Sequence, residues 1–97
     1  MPKGAFIERP MGAYAPDEQA RNLMEVASAA RAAGLDALLT GDSHGANPAY
    51  AATFSPLPTV ARLMSVTGAM PIGVVLLAPF YHPVLLAEQI GTLAAFA

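Results

Sequence analysis

The segment Gly41-Asp42-Ser43-His44-Gly45 places a carboxylate, a hydroxyl and an imidazole side by side, directly after the apolar run 35–40. Imidazole is the side chain that most often moves a proton near neutral pH. The segment therefore predicts either a proton-transfer site at Asp42, Ser43 and His44, or a loop cluster held by its own hydrogen bonds. A hydrolase triad has the same three groups, but adjacent residues do not easily face one another in the order a triad needs.

The second histidine, His82, directly precedes Pro83, after the apolar run 71–77. Residues before proline avoid helical angles, and proline is favoured at the first position of a helix. We therefore expect His82 to shape the start of a helix, with catalysis as the weaker alternative. Val74 to Leu77 is interpreted as a buried strand, although a flat apolar strand end also suits a planar ring.

Composition and charge exclude several classes of function. The chain has no cysteine, which excludes disulfides, thiolate metal sites and cysteine nucleophiles, and we expect no metal site. Its net charge is −2 and its five basic residues are scattered, so we expect no nucleic-acid partner. Its glycines form neither a G-x-G-x-x-G fingerprint nor a P-loop, so no phosphate loop for a nucleotide is visible.

The balance of apolar and charged residues is unusual for 97 residues. Hydrophobic residues make up 55% and charged residues 12%, against roughly 25% charged in ordinary domains. Further sequence, a partner or a membrane must therefore cover part of the surface. The uncharged stretch 63–87 is long enough to span a bilayer, but its glycines and prolines would break a membrane helix, and no signal peptide is visible. We expect a cytoplasmic protein without a membrane partner.

The apolar periodicity predicts alternating strands and helices. The predicted elements are a strand at 3–7, a helix at 17–33, a strand at 35–40 buried on both faces, a helix at 56–67, a strand at 71–77 and a helix from Pro83. Gly34 and Gly68 mark helix ends, and Ser55 with Pro56 marks a helix start. The last helix has no stop signal before Ala97, so we expect the chain to be the front of a larger α/β protein.

Alternating strands and helices imply a parallel sheet with right-handed crossovers, either doubly wound or part of a barrel. In both architectures the functional site lies at the carboxyl ends of the strands. Three segments of the chain occupy such positions: 8–9, 41–45 and 77–82. These three segments contain both histidines of the chain. We therefore expect proton transfer at the carboxyl ends of the strands.

Two stretches, LDALLTGDSH at 35–44 and SPLPTVARLMSVTGAMPIGVVLLAPFYHPVLLAEQIGTL at 55–93, resemble the luciferase-like flavin monooxygenases. That family includes bacterial luciferase, alkanesulfonate monooxygenase and the deazaflavin F420-dependent reductases. Its third strand typically reads I-x-x-G-x-x-V-L-x-P-x-x-H-P-V followed by L-A-E, which residues 75–84 and 86–88 match closely. The resemblance covers essentially residues 4–97. Many members carry histidine at the position of Ser43, so here the proton-handling role passes to His44 or the chemistry differs.

The resemblance implies an α/β fold in which residues 1–97 form a partial domain, the first three β-α units of a truncated TIM (β/α)8 barrel of roughly 300 residues. It implies a monooxygenase that uses reduced FMN, supplied by a separate reductase, and O2 on a small organic substrate, with F420 as the alternative cofactor. The flavin would contact Val74, Val75 and Ala78, beside a non-proline cis peptide near Val74–Val75. Asp42, Ser43 and His44 would line the flavin or substrate side, and the full-length protein would be a homo-oligomer.

Three other interpretations stay open at this point. The chain can be a non-catalytic half-barrel or an oligomerising α/β remnant, associating through open sheet edges. It can belong to an F420-dependent oxidoreductase that transfers hydride. A small doubly wound binding domain is the weakest interpretation, because the chain shows no phosphate loop.

Overall fold

The computed structural model describes residues 3–7, 15–42 and 54–97 of the chain. In chain order they form β1 (Gly4–Ile7), α1 (Pro16–Ala32), β2 (Ala37–Thr40), α2 (Pro56–Thr67), β3 (Ile72–Val74), a single 3-10 turn (Ala78–Phe80) and α3 (Pro83–Phe96). The predicted alternation of strands and helices is confirmed. β3 is shorter than the predicted strand at 71–77.

The three strands form one parallel sheet in the order β1-β2-β3. Leu39 at the middle of β2 is in register with Phe6 of β1 and Gly73 of β3. Each strand therefore pairs with the next strand in the chain, and a helix connects the two in sequence. Right-handed crossovers between such neighbours place the connecting helices on the same face of the sheet.

The hydrophobic core lies between this face and the first two helices. It consists of Leu23, Ala27 and Ala30 of α1, Leu38 of β2 and Leu63 of α2. The α1 residues recur at four- and three-residue steps, which puts them on one side of the helix.

β2 is covered on one face among the described residues. Leu38 and Thr40 are buried, whereas Leu39, which points to the other face, is 43% exposed. Side chains alternate between the two faces of a strand, so this pattern shows a helix layer on one side of the sheet. The prediction that β2 is buried on both faces is wrong for the described residues, because no described element lies over Leu39.

Local signals set the helix ends. Gly34 and Gly68 have positive φ angles of 73° and 60°, as expected of glycines that end helices. Ser55 precedes Pro56 as predicted, but its side chain makes no capping hydrogen bond. An added Cβ at Gly68 would lie 2.9 Å from the guanidinium carbon of Arg31, so that flexible side chain would have to move aside. That guanidinium donates to the Val66 carbonyl at 3.3 Å and ties α1 to the end of α2.

The last third of the described chain exposes much apolar surface. α3 has no buried residue, and its exposed apolar side chains include Val84, Leu85, Ile90 and Phe96. Its one charged residue is Glu88. A helix that is apolar all round is normally packed on several sides. None of the helices in the described ranges has both the length and the apolar character needed to cross a bilayer.

Candidate functional site

The carboxyl ends of β2 and β3 lie side by side. Thr40 is in register with Val74, and the Val75 N–H donates to the Thr40 carbonyl at 2.9 Å, one residue beyond β3. In a parallel ladder that continued, the next donor would be the Leu77 N–H and its acceptor the carbonyl of Asp42. The structure departs from the ladder at this step.

The Asp42 side chain, and not its backbone carbonyl, accepts the next hydrogen bond from the β3 side. Its Oδ2 accepts the Leu77 N–H at 2.9 Å and the Tyr81 hydroxyl at 2.7 Å. Both distances are those of strong hydrogen bonds to a carboxylate. Leu77 and Tyr81 flank the 3-10 turn Ala78–Phe80, so one carboxylate oxygen holds both ends of that turn. We call Asp42, Leu77 and Tyr81 the strand-end brace.

Tyr81 enters the brace as a protonated phenol. Burial of the phenol, its hydrogen bond to Asp42 and the charge of Asp42 together raise the pKa of Tyr81 to about 12 from an ordinary 10.0, with burial the largest cause. The hydroxyl is therefore a donor over the whole range in which proteins function. Asp42 can therefore accept a hydrogen bond from the Tyr81 hydroxyl, which keeps its proton.

Sequence reasoning missed Tyr81. The residue lies 39 positions from its partner Asp42, and no local spacing connects the two. The available signal was weaker: Tyr81 falls in the segment 77–82 at the carboxyl end of β3, and a tyrosine there usually hydrogen-bonds through its hydroxyl.

His82 starts α3. Its backbone is extended, with φ −70° and ψ 125°, and Pro83 is the first residue of the helix. The His82 Nδ1 accepts the Val84 N–H at 3.2 Å, which satisfies one of the helix's first four donors. The interpretation of His82 as a helix-start residue is confirmed. An Nδ1 that accepts a hydrogen bond carries no proton itself.

Of the residues expected to contact a planar ring, Val75 is 54% exposed and Ala78 is exposed, and Leu77 between them is 40% exposed. Val74 is half-buried on the helix side of the sheet, in register with the buried Thr40. The interpretation of 74–77 as buried core is therefore wrong for Val75 and Leu77, because no described element packs over their side chains. The described residues contain no cis peptide bond, so the expected cis peptide near Val74–Val75 is also wrong.

Two of the three predicted catalytic residues, Ser43 and His44, lie outside the described residues, as does the strand-end segment 8–9. Asp42 is the predicted member that the structure describes, and it meets the β3 end. Within the ranges 3–7, 15–42 and 54–97, no three histidine or carboxylate side chains gather as metal ligands would.

Several grooves lie among the helices of the described ranges. One, about 660 Å³, runs between α1 and α2 past Met24 and Phe54 and includes no member of the strand-end brace. Another, about 360 Å³, lies between α2, β3 and α3 and is lined by Val74 among others. A further groove, about 480 Å³, lies between α2 and α3 and is lined by Tyr81 and Glu88 among others. The strand-end brace therefore borders this last groove.

Comparison with known proteins gives one family match. Residues 4–97 match the sequence model of a family described as luciferase-like monooxygenase. No curated protein and no solved structure matches the chain. The matched range contains all three strands, Asp42 and the segment that follows β3.

Proposed function

Since the chain belongs to the luciferase-like monooxygenase family, we propose that it forms the N-terminal part of a flavin-dependent monooxygenase. One observation carries the proposal. Asp42, from the end of β2, meets the segment that follows β3 at the edge where parallel α/β proteins bind their ligands.

A (β/α)8 barrel accounts for the surfaces left exposed. Its strands follow one another around the barrel in chain order, as β1-β2-β3 do here. Its interior would cover Leu39, which is 43% exposed on the face away from the helices. A fourth β-α unit would cover the second edge of β3 and the apolar sides of α3. We therefore propose that the chain supplies the first three β-α units of such a barrel.

The residues beyond β3 fit a flavin ring. Val75 and Leu77 present apolar side chains and Ala78 a small one, all exposed within four positions of each other. A planar ring can lie against such a surface and remove it from water. The sequence has neither a P-loop nor a G-x-G-x-x-G fingerprint, so the phosphate of the cofactor would be held by residues beyond this chain.

The bound flavin would supply the redox chemistry with O2, which no side chain of this chain can perform. Val75 and Ala78 would orient the ring and exclude water beneath it. Val74 is in register with the buried Thr40 and borders a groove with α2 and α3, so it would support the strand from the helix side. His44 would hold or move the proton on the side of a small organic substrate, with Asp42 and Ser43 beside it. A separate reductase would deliver reduced FMN, and the full-length protein would form a homo-oligomer.

A second candidate function rests on the uncovered surface of α3. An apolar helix beside a strand that pairs on one edge within the described ranges favours association, so the chain can instead be a non-catalytic, oligomerising remnant. In a third candidate the cofactor is F420 and the reaction is hydride transfer without O2.

Fluorescence titration with FMN and with F420 tests the proposal. The titrations use the 97-residue chain and the natural-length protein, by which we mean the product of its reading frame through Ala97 and whatever follows. We expect the natural-length protein to bind FMN and the 97-residue chain not to bind, because three strands cannot close a barrel.

Each outcome of that titration selects a candidate. Binding of F420 in place of FMN would replace monooxygenation with hydride transfer. A folded natural-length protein that binds neither cofactor, or a stop codon directly after Ala97, would favour the non-catalytic remnant and contradict the proposal.

A further inference from the structure

We propose that Tyr81 is a positioning residue which, through Asp42, fixes the turn that carries Ala78 and so sets the surface on which the flavin rests. The inference depends on the proposed function for its flavin and on the strand-end brace for its geometry. It gives Asp42 a positioning role beside or in place of the catalytic one.

Asp42 lies where backbone pairing between β2 and β3 ends. Backbone pairing between β2 and β3 ends with the Val75 N–H on the Thr40 carbonyl. A side chain then provides the next acceptor, at 2.9 Å from the Leu77 nitrogen. A backbone carbonyl there would keep residues 75–77 in a straight strand. A carboxylate reaches further and lets the chain leave the sheet at Leu77.

Hydrogen bonds to Asp42 hold the turn at both of its ends. The 3-10 turn Ala78–Phe80 makes two backbone hydrogen bonds of its own, from the Phe80 N–H to Leu77 and from the Tyr81 N–H to Ala78, both at 3.0 Å. These shape the turn but do not attach it to β2. Of the described contacts, the Leu77 N–H and the Tyr81 hydroxyl attach it, both to Asp42 Oδ2.

Electrostatics point the same way. Among the described residues, the charged or titratable groups near the phenol are Asp42 just beyond β2, His82 next to Tyr81 in the chain, and Glu88 on α3, which lines the same groove. Of these, Asp42 is hydrogen-bonded to the phenol and raises its pKa. Because the pKa of Tyr81 is raised in the folded protein, chiefly by burial and also by this bond, the stability linked to the protonated phenol is present below pH 10 and is lost as the pH rises through about 12.

The test combines three variants of the natural-length protein: Tyr81→Phe, Asp42→Ala and the double variant. Thr92→Val is the matched control, because it removes a hydroxyl that bonds within α3, to the Glu88 carbonyl. Tyr81→Phe removes a hydrogen bond to a charged group, and the loss of the free energy of such a bond should weaken FMN binding about tenfold. Thr92→Val should leave FMN binding unchanged. Tyr81→Phe should have no further effect in the Asp42→Ala background, because Tyr81 acts through Asp42.

A second readout needs no flavin. Tyrosinate absorbance is followed as the pH is raised, and the curve of Tyr81→Phe is subtracted from that of wild type. The difference should show Tyr81 ionising near pH 12. The same difference taken between Asp42→Ala and the double variant should show it closer to 10, though burial keeps it above that value. If Asp42→Ala does not fold, Asp42→Asn replaces it, with a smaller shift expected.

The two readouts separate the possible failures. If wild type binds no FMN but Tyr81 ionises near pH 12 and shifts in Asp42→Ala, the proposed function fails and the brace stands. If Tyr81 ionises at its ordinary value, the brace is absent and the inference is overturned. An equal loss of FMN affinity from Tyr81→Phe with and without Asp42 would also overturn it, because Tyr81 would then act on the flavin directly.

Discussion

Replacement of His44 by alanine is expected to lower the turnover of the natural-length protein about 100-fold or more, which is the size of effect that a positioned acid or base supplies. FMN affinity should change much less, because His44 follows β2 and the proposed ring surface follows β3. Steady-state kinetics and FMN titration on the same preparation measure the two effects.

His82→Ala is the matched control for this prediction. It removes the other histidine of the chain, which caps α3 through Nδ1. It should cost roughly 1 kcal/mol of stability, as the loss of a helix cap does, with turnover per folded molecule close to wild type. Unchanged turnover in His44→Ala would remove that residue from the mechanism.

Replacement of Leu38 by alanine is expected to lower the free energy of unfolding by about 3 kcal/mol, as for other leucines truncated in a packed core. Leu38 is 1% exposed and joins α1 and α2 to the sheet in the core cluster. Urea unfolding followed by circular dichroism measures the loss. Val26→Ala, on the outside of α1 at 49% exposure, is the control and should cost under about 1 kcal/mol.

A second truncation, at the neighbouring residue Leu39, tests whether the sheet closes into a barrel. Leu39 is 43% exposed on the face of the sheet away from the helices. In a closed barrel that face is packed interior, so Leu39→Ala in the natural-length protein should cost nearly as much as Leu38→Ala. A cost similar to that of Val26→Ala would mean that the face stays open, which contradicts the barrel and favours the remnant.

The elements were predictable from sequence where local chemistry decides them. Gly34 and Gly68 end their helices with positive φ, and Pro56 and Pro83 begin theirs. The end of β3 was not predictable in this way. Its apolar run continues to Leu77, but the length of a strand depends on its partner, and β2 stops pairing after Thr40.

The contact between Asp42 and the segment after β3 was predictable, but the residues that make it were only partly so. The rule that parallel strands carry sites at their carboxyl ends located Asp42 and the segment after β3. It could not reveal that Tyr81 meets Asp42 across 39 residues, because that contact depends on strand register. It also could not tell whether Val75 is exposed or buried, because that depends on which elements of the fold pack over its side chain.

The most direct measurement for the central claim is FMN affinity in a Val75→Asp variant of the natural-length protein. A carboxylate beneath the ring would lie unpaired in an apolar contact, so we expect affinity to fall at least about tenfold. Val26→Asp is the control, since it adds the same charge on the exposed side of α1, and should bind FMN as wild type does. Equal FMN affinity in wild type and both variants would contradict a flavin site at the end of β3.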